Sequence, residues 1–381
     1  MLGVRVPPGA PFIREIMSSF CSFPWRGLMM TETGELRPCC KLDTSKIPNW
    51  QTSYIKDGLD TYSNNLGLLD LKQSFLAGDK PDACHKCWTP ESHGMYSHRQ
   101  LLDVDYSNDG FGRFDLSLGN LCNLKCRICH PSESSRYINE WYELFGEKKT
   151  LHNTLDQHTL DMVSSIASKS DVLNIYGGEP MLIREHLDIL RYVVANNRAG
   201  ETSLQYHTNG TIYPDPELLD LWSKFKSIEL SFSLDGIGKV FEYNRHPAKW
   251  KTVESNILRL KENLLSNLKI RINTVLSIFT IDALEDLFNW TNKNEIEPPH
   301  ILILTNPPLF RVSVLPLALK QELKISILKQ KHLKIKAALG TLDNDDSHLL
   351  PALRHRLNIQ DQYRREVFAE VFPRIAAHVF G

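Results

Sequence analysis

The chain has 381 residues, 42% of them apolar and 23% charged, with a formal net charge of −1. That length holds a barrel-sized domain and one smaller unit, and the near-neutral balance excludes nonspecific nucleic-acid binding, which needs clustered cations to displace phosphate counterions. No run approaches the roughly 20 apolar residues that span a bilayer, and the start, with Arg5, Arg14 and Glu15, has no secretory apolar core. The expectation is a cytoplasmic protein with no nucleic-acid or membrane partner.

Residues 1–18, with Pro7-Pro8-Gly9, read as irregular. Leu28-Met29-Met30 and Glu35-Leu36-Arg37 flank a Thr33-Gly34 turn and predict a β-hairpin that ends in Pro38-Cys39-Cys40. A helix near Leu66–Leu76 then leads to Cys84-His85-Lys86-Cys87. In a reducing compartment clustered cysteines point to metal rather than disulfides. Cys21, Cys39, Cys40, Cys84 and Cys87 therefore form one candidate metal set, because a hairpin end and a C-x2-C knuckle can gather four thiolates from distant loops. Five thiols compete for four positions, and adjacency to Pro38 favours Cys39 over Cys40. Structural zinc and an iron–sulfur cluster both suit this set. Asn108-Asp109-Gly110 is a strong turn signal and marks a domain boundary.

Beyond it, strand-like segments (Phe114–Leu118, Val172–Tyr176, Ser203–His207, Ile228–Ser233, Ile270–Val275, Ile301–Leu304) alternate with helical patterns (Glu185–Ala195, Pro216–Phe225, Trp250–Leu264, Ile281–Asn292). The alternation predicts an α/β fold with a parallel sheet and outer helices, and in barrels of this kind chemistry collects in the loops after the strands. After the first strand comes Cys122-x3-Cys126-x2-Cys129. Three thiolates in one loop hold three irons of a four-iron cubane and leave the fourth iron open. A c-type haem string, Cys126 to His130, leaves Cys122 unexplained, and a structural zinc knuckle wants a closed set of four ligands.

Tyr176-Gly177-Gly178-Glu179 follows the second strand, where paired glycines let a backbone approach a ligand closely. Asn209 sits in an Asn-Gly turn after the third. Ser231, Ser233 and Asp235 alternate to one face around the end of the fourth. Arg245 is either a bidentate carboxylate binder or a surface ion-pair residue. Asn273, polar within an apolar strand, either faces a ligand or makes a structural hydrogen bond.

The Cys122/Cys126/Cys129 triad and the Gly177-Gly178-Glu179-Pro180 loop resemble the radical SAM superfamily. Ile128 departs from the aromatic residue the family often places before the third cysteine. The resemblance implies a partial (β/α)6 TIM-like barrel over 111–312 and a [4Fe–4S] cluster whose open iron chelates S-adenosylmethionine. It also implies reductive cleavage of that cofactor to a 5′-deoxyadenosyl radical that takes a hydrogen atom from a substrate. By the same resemblance, Tyr176 to Glu179 meet the methionine amine, Asn209 and Asn273 face the cofactor, Ser231, Ser233 and Asp235 face its ribose, and Arg245 holds its carboxylate. Residues 19–110, through Cys21, Gly34 to Cys39, and Cys84/Cys87, resemble the Twitch module, which binds an auxiliary [4Fe–4S] cluster. That module usually follows the barrel, and here it precedes it.

Relatives with such modules most often modify ribosomally made peptides, by cross-linking, epimerisation or tyramine excision. This makes a peptide the expected substrate, with a separate leader-peptide-recognition protein and a reductant such as flavodoxin or ferredoxin as partners. The alternatives are a dehydrogenase or epimerase of a small carbohydrate or aminoglycoside, and a non-enzymatic metal-binding module, for which an amine-binding turn has no use.

The last segment, 313–381, reads as helical. Lys320, Lys324, Lys331 and Lys334, beside a stripe of Leu323, Ile327 and Leu333, predict a solvated amphipathic face, with docking of an acidic peptide as the sharper alternative. Leu353–Ala376 reads as a second amphipathic helical stretch that packs back on the barrel or on the N-terminal module.

Overall fold

A computed structural model of the chain describes residues 19–92, 96–100, 111–150, 155–262 and 265–381. The irregular start and the Asn108-Asp109-Gly110 turn lie outside the described residues. The chain forms two compact units: Met1–Gly119 with His152–Tyr206 and Asp215–Ile228, and Asn120–Leu151 with His207–Pro214 and Glu229–Gly381. Its strands and helices alternate in an α/β architecture with parallel strand pairs and flanking helices. Among the described residues no helix is long and apolar enough to cross a membrane.

In the first unit, β1 (Gly27–Met30), β2 (Glu35–Arg37), β3 (Ser53–Tyr54), β4 (Arg113–Ser117), β5 (Val172–Tyr176) and, as far as Tyr206, β6 (Ser203–Thr208) lie in the order β3-β2-β1-β4-β5-β6. β1 and β2 are the predicted hairpin. Gly34 takes φ +81° at its tip and donates to the Thr31 carbonyl at 2.9 Å. The hairpin does not stand apart, because β1 pairs in parallel with β4, Leu28 opposite Phe114 and Met30 opposite Leu116. β4, β5 and β6 continue in parallel. Phe114, Leu116, Leu173, Ile175 and Leu204 are fully buried, as strands covered on both faces require.

The flanking helices begin where their caps lie. The Asn65, Asp156 and Asp215 side chains accept backbone N–H groups of Leu68, Thr159 and Leu218 and start the helices Leu66–Leu76, Gln157–Ala167 and Pro216–Ser223. One polar row crosses the sheet in register: Asp115 opposite Asn174, and Asn174 opposite Gln205.

The second unit holds β7 (Ser227–Ser233) from Glu229 onward, β8 (Leu268–Leu276) and β9 (His300–Ile303), with β8 and β9 parallel. Its core joins Tyr243, Phe279 and Phe310 to Leu353, Leu357, Phe368, Phe372 and Ile375, so the C-terminal helices belong to the same apolar cluster as the strand-end loops. Two expectations are corrected here. The stretch Leu353–Ala376 is not continuous. The helix Leu350–Arg364 stops at Arg365, which adopts φ +55°, and a short turn precedes the helix Pro373–Phe380. Nor is the lysine face wholly solvated. Lys320 is 3% exposed and donates to the Asn344 carbonyl at 2.9 Å and to Asp345 at 3.1 Å, whereas Leu333, assigned to the apolar stripe, is 79% exposed. The helix Leu317–Lys329 ends before Leu333, which breaks the periodicity that joined them.

A buried cation ties this unit together. The Arg127 side chain is wholly buried, and its Nη2 donates to Asp361 and Glu366 at 2.6 Å each. Its guanidinium lies over the Tyr243 ring at 3.7 Å, while the Tyr243 hydroxyl donates to Asp361 at 2.7 Å. Glu366 also meets His246 Nδ1 at 2.7 Å.

Removing one member of such a set leaves buried charge uncompensated, which typically costs about 3–5 kcal/mol. Arg127→Ala is expected to lower unfolding free energy by about that amount, measured as a shift of the urea midpoint. Burial alone would raise the Glu366 pKa, but His246 and Arg127 outweigh it and hold the carboxyl below its usual range. The unfolded chain therefore binds this proton at higher pH than the folded one. Glu366 stabilises the fold above the ordinary carboxylate pKa of about 4.3, and the contribution disappears as pH falls through the folded value. In Glu366→Gln, thermal unfolding between about pH 5 and pH 3 should lose part of the wild-type pH dependence.

Candidate iron–sulfur and cofactor site

The cluster loop belongs to the second unit. Cys126 is buried, and Cys122 and Cys129 are half-buried. Burial first, then the neighbouring Cys126 and Cys122, pushes the Cys129 thiol well above its usual range. Burial likewise raises Cys126, against the opposing pull of Arg245. Thiols this close and this dry lose their protons together only to a cation that they share. Three soft sulfur donors suit an iron–sulfur cubane with one open iron. Arg245 adds a second sign of fit, because its buried Nε has no hydrogen-bond partner among the described residues.

The loop is held by backbone. Lys125 N–H donates to the His246 carbonyl and Arg127 N–H to the Asn244 carbonyl, both at 2.8 Å, so the segment carrying Arg245 is clipped against Cys126. Arg245 Nη2 forms an ion pair with Asp235 at 2.7 Å, and its Nη1 lies 4.0 Å from Cys126 Sγ. Asp235 also accepts Val275 N–H at 2.9 Å. Ser135 Oγ accepts Cys122 N–H at 3.1 Å, and the Asn120 side chain donates to the Pro131 and Thr150 carbonyls.

Asn209 serves the same loop. Its Nδ2 donates to Asn123 Oδ1 at 2.9 Å and lies 4.0 Å from Cys122 Sγ, while its Oδ1 accepts Thr211 N–H. A cavity of about 430 Å³ opens beside the thiols, lined by Cys126, Cys129, His130, Glu133, Arg245 and Asn306 among others. Ser231 is buried and Ser233 half-buried on β7, and the Asn273 carbonyl on β8 accepts Leu234 N–H at 2.8 Å. Among the described residues no hydrogen bond joins these three side chains to the thiols.

Tyr176, Gly177, Gly178 and Glu179 belong to the first unit, at the end of β5. Gly177 takes φ +135°, and a Cβ there would stand 2.7 Å from the Gly119 carbonyl oxygen, to which Gly178 N–H donates at 3.0 Å. Only glycine permits that approach. Glu179 is fully buried, and its carboxylate accepts Met181 N–H at 3.2 Å.

The N-terminal thiols divide. Cys21, Cys39, Cys84 and Cys87 line one cavity of about 20 Å³ with Phe23, Leu42, Phe75, His98 and Arg99. Burial pushes Cys84 up to about 12 and raises Cys21 and Cys39, with neighbouring thiols adding to it. Four such donors suit one metal centre. Cys40 is exposed and stands outside that cavity, beside His98. Sequence reasoning missed Arg127, Asn123 and His98. A cation between two clustered cysteines was a readable signal for Arg127, whereas nothing local marks His98, whose partner is 58 residues away.

Residues 116–291 match the family model of the Radical SAM superfamily. No curated protein matches the chain. Among solved structures, native anSMEcpe with bound AdoMet is 16% identical with TM-score 0.40, covering 65% of this chain and 60% of that one. Streptococcus suis SuiB bound to S-adenosylmethionine is 14% identical, TM-score 0.37, covering 79% and 66%. The methyltransferase TsrM from Kitasatospora setae, with cobalamin and a [4Fe-4S] cluster bound, is 12% identical, TM-score 0.37, covering 52% and 35%. The chain spans between 48% and 60% of the length of three anSMEcpe structures it matches. The segment that matches the Radical SAM superfamily model, 116–291, carries the cysteine triad and the Gly177-Gly178-Glu179 loop.

Proposed function

We propose that the protein is a radical enzyme that modifies a ribosomally made peptide in the reducing cytoplasm. The single observation that carries the reading is the loop with Cys122, Cys126 and Cys129, in which burial raises Cys126 and Cys129, beside Arg245 and an open cavity. When bound there, a [4Fe–4S] cluster and S-adenosylmethionine supply reductive cleavage to a 5′-deoxyadenosyl radical that abstracts a substrate hydrogen atom.

The chain's own residues hold, orient and exclude. Cys122, Cys126 and Cys129 hold three irons. Arg245, kept ionised beside Asp235, offers its guanidinium to the methionine carboxylate. Gly177 and Gly178 present backbone to the amine, while Ser231, Ser233, Asp235 and Asn273 serve the ribose side. Burial around Cys126 and Cys129 keeps water away and tunes the cluster potential. Cys21, Cys39, Cys84 and Cys87 hold a second, auxiliary cluster, and this Twitch-like thiol set supports the peptide reading. A flavodoxin or ferredoxin supplies the electron, and a separate protein recognises the leader peptide.

Protein reconstituted without air is expected to bind about eight irons and, with dithionite, to convert S-adenosylmethionine into 5′-deoxyadenosine. Cys126→Ala should lose about half the iron and all cleavage, whereas Cys84→Ala should lose iron and keep cleavage. No 5′-deoxyadenosine from fully loaded wild-type protein would falsify the radical reading. For the substrate, peptides should raise the rate of cleavage and change mass, by tyramine loss or by loss of two hydrogens on cross-linking. A response to aminoglycosides or sugars alone would overturn the peptide assignment.

A further inference from the structure

The fifth N-terminal thiol has partners of its own. Cys40 Sγ lies 3.7 Å from His98 Nε2, and ligand atoms of Cys40, His98 and Asp115 all fall within 4.8 Å of one another. The three come from the end of the hairpin, the short turn His98–Gln100 and the middle of β4, all within the first unit. Convergence of a thiol, an imidazole and a carboxylate from three distant segments is what a metal site needs, and no hydrogen bond within the trio accounts for all three. Tetrahedral zinc, with sulfur at about 2.3 Å and nitrogen at about 2.0 Å, sets those two ligands about 3.5 Å apart, close to the observed separation.

The groups behind the ligands are also in place. Asp115 is 1% exposed, and Arg113 Nε and Asn174 Nδ2 both donate to its Oδ1, at 2.6 and 3.0 Å. Asn174 is itself buried, and its Oδ1 has no hydrogen-bond partner among the described residues. The Phe23 ring stacks on His98 at 4.7 Å and fixes the plane of the imidazole. Carboxylates and imidazoles oriented this way by outer partners are characteristic of metal ligands.

We propose that Cys40, His98 and Asp115 bind one divalent transition-metal ion, zinc by the chemistry of the set, at a site beside the four-thiol cavity, with which it shares His98, and apart from the cluster loop. Three protein ligands leave the fourth position of a tetrahedral ion open to water or to a donor group of a substrate. The site borders the four-thiol cavity through His98, which lines both, while Cys40 and Asp115 are not among that cavity's lining residues.

The test uses the full chain, reconstituted with iron and sulfide, equilibrated with Zn²⁺ and stripped of loosely held metal. Wild-type protein is expected to retain about one more zinc than Cys40→Ser, with the same iron content in both. Should the four-thiol cavity itself take zinc, both totals rise together and the difference of about one stands. Cys40 is exposed, so Cys40→Ser spares the core, and Asp115→Asn serves as a second variant. Zinc should also slow alkylation of Cys40 by iodoacetamide at least about tenfold in wild type, and much less in Asp115→Asn. Equal zinc in wild type and Cys40→Ser, or an alkylation rate that saturating zinc does not change, overturns the proposal.

Discussion

The Arg127 guanidinium is the constraint on which the second unit depends. Taking a cation fully out of water costs several kcal/mol even after relaxation, and it is repaid only by well-placed partners. Here those partners are Asp361 and Glu366, more than 230 residues away in sequence, and the ring of Tyr243. The loop that carries the three thiols is therefore tied directly to the C-terminal helices. The same loop meets Asn244 and His246 through its backbone on either side of Cys126, and so fixes Arg245 at the thiols. A buried ion pair adds little net stability over an apolar packing of the same volume. What it supplies in this unit is one defined geometry for a loop with few apolar side chains.

The thiol sites follow a related logic. Burial is the first cause that raises Cys21, Cys39, Cys84, Cys126 and Cys129, so these sulfur atoms remain protonated until a cation claims them. Metal binding and ordering of these loops are thus coupled, as in other thiolate sites where the metal supplies folding free energy. In the first unit the hairpin β1–β2 is welded to β4 by parallel pairing, which puts the end of the hairpin beside Asp115 and His98. A hairpin on a flexible tether would leave Cys40 without either partner.

Much of the local structure was legible in the chain. The hairpin strands, the helix Leu66–Leu76, the strand Val172–Tyr176 and the helix Glu185–Ala195 lie where period and turn chemistry put them. Their signals are local: a glycine at positive φ, a capping asparagine, continuous apolar runs. The failures came where a local pattern met a distant partner. Lys320 sits at a helical spacing that reads as solvated, yet Asn344 and Asp345 lie in reach and draw it into the interior. The helical stretch expected over Leu353–Ala376 is interrupted at Arg365, where the chain turns and Glu366 meets Arg127 and His246.

By itself, the sequence determined the α/β class, the three-thiol loop and the paired glycines, because these rest on spacing along the chain and on backbone freedom at single residues. Only the tertiary structure decided which four N-terminal thiols share a cavity, that Cys40 stands instead with His98 and Asp115, and that Asn209 braces the cluster loop. Those outcomes depend on contacts between segments tens to hundreds of residues apart. Side-chain chemistry states what such segments can do when they meet, but only the packing of strands and helices decides which of them meet.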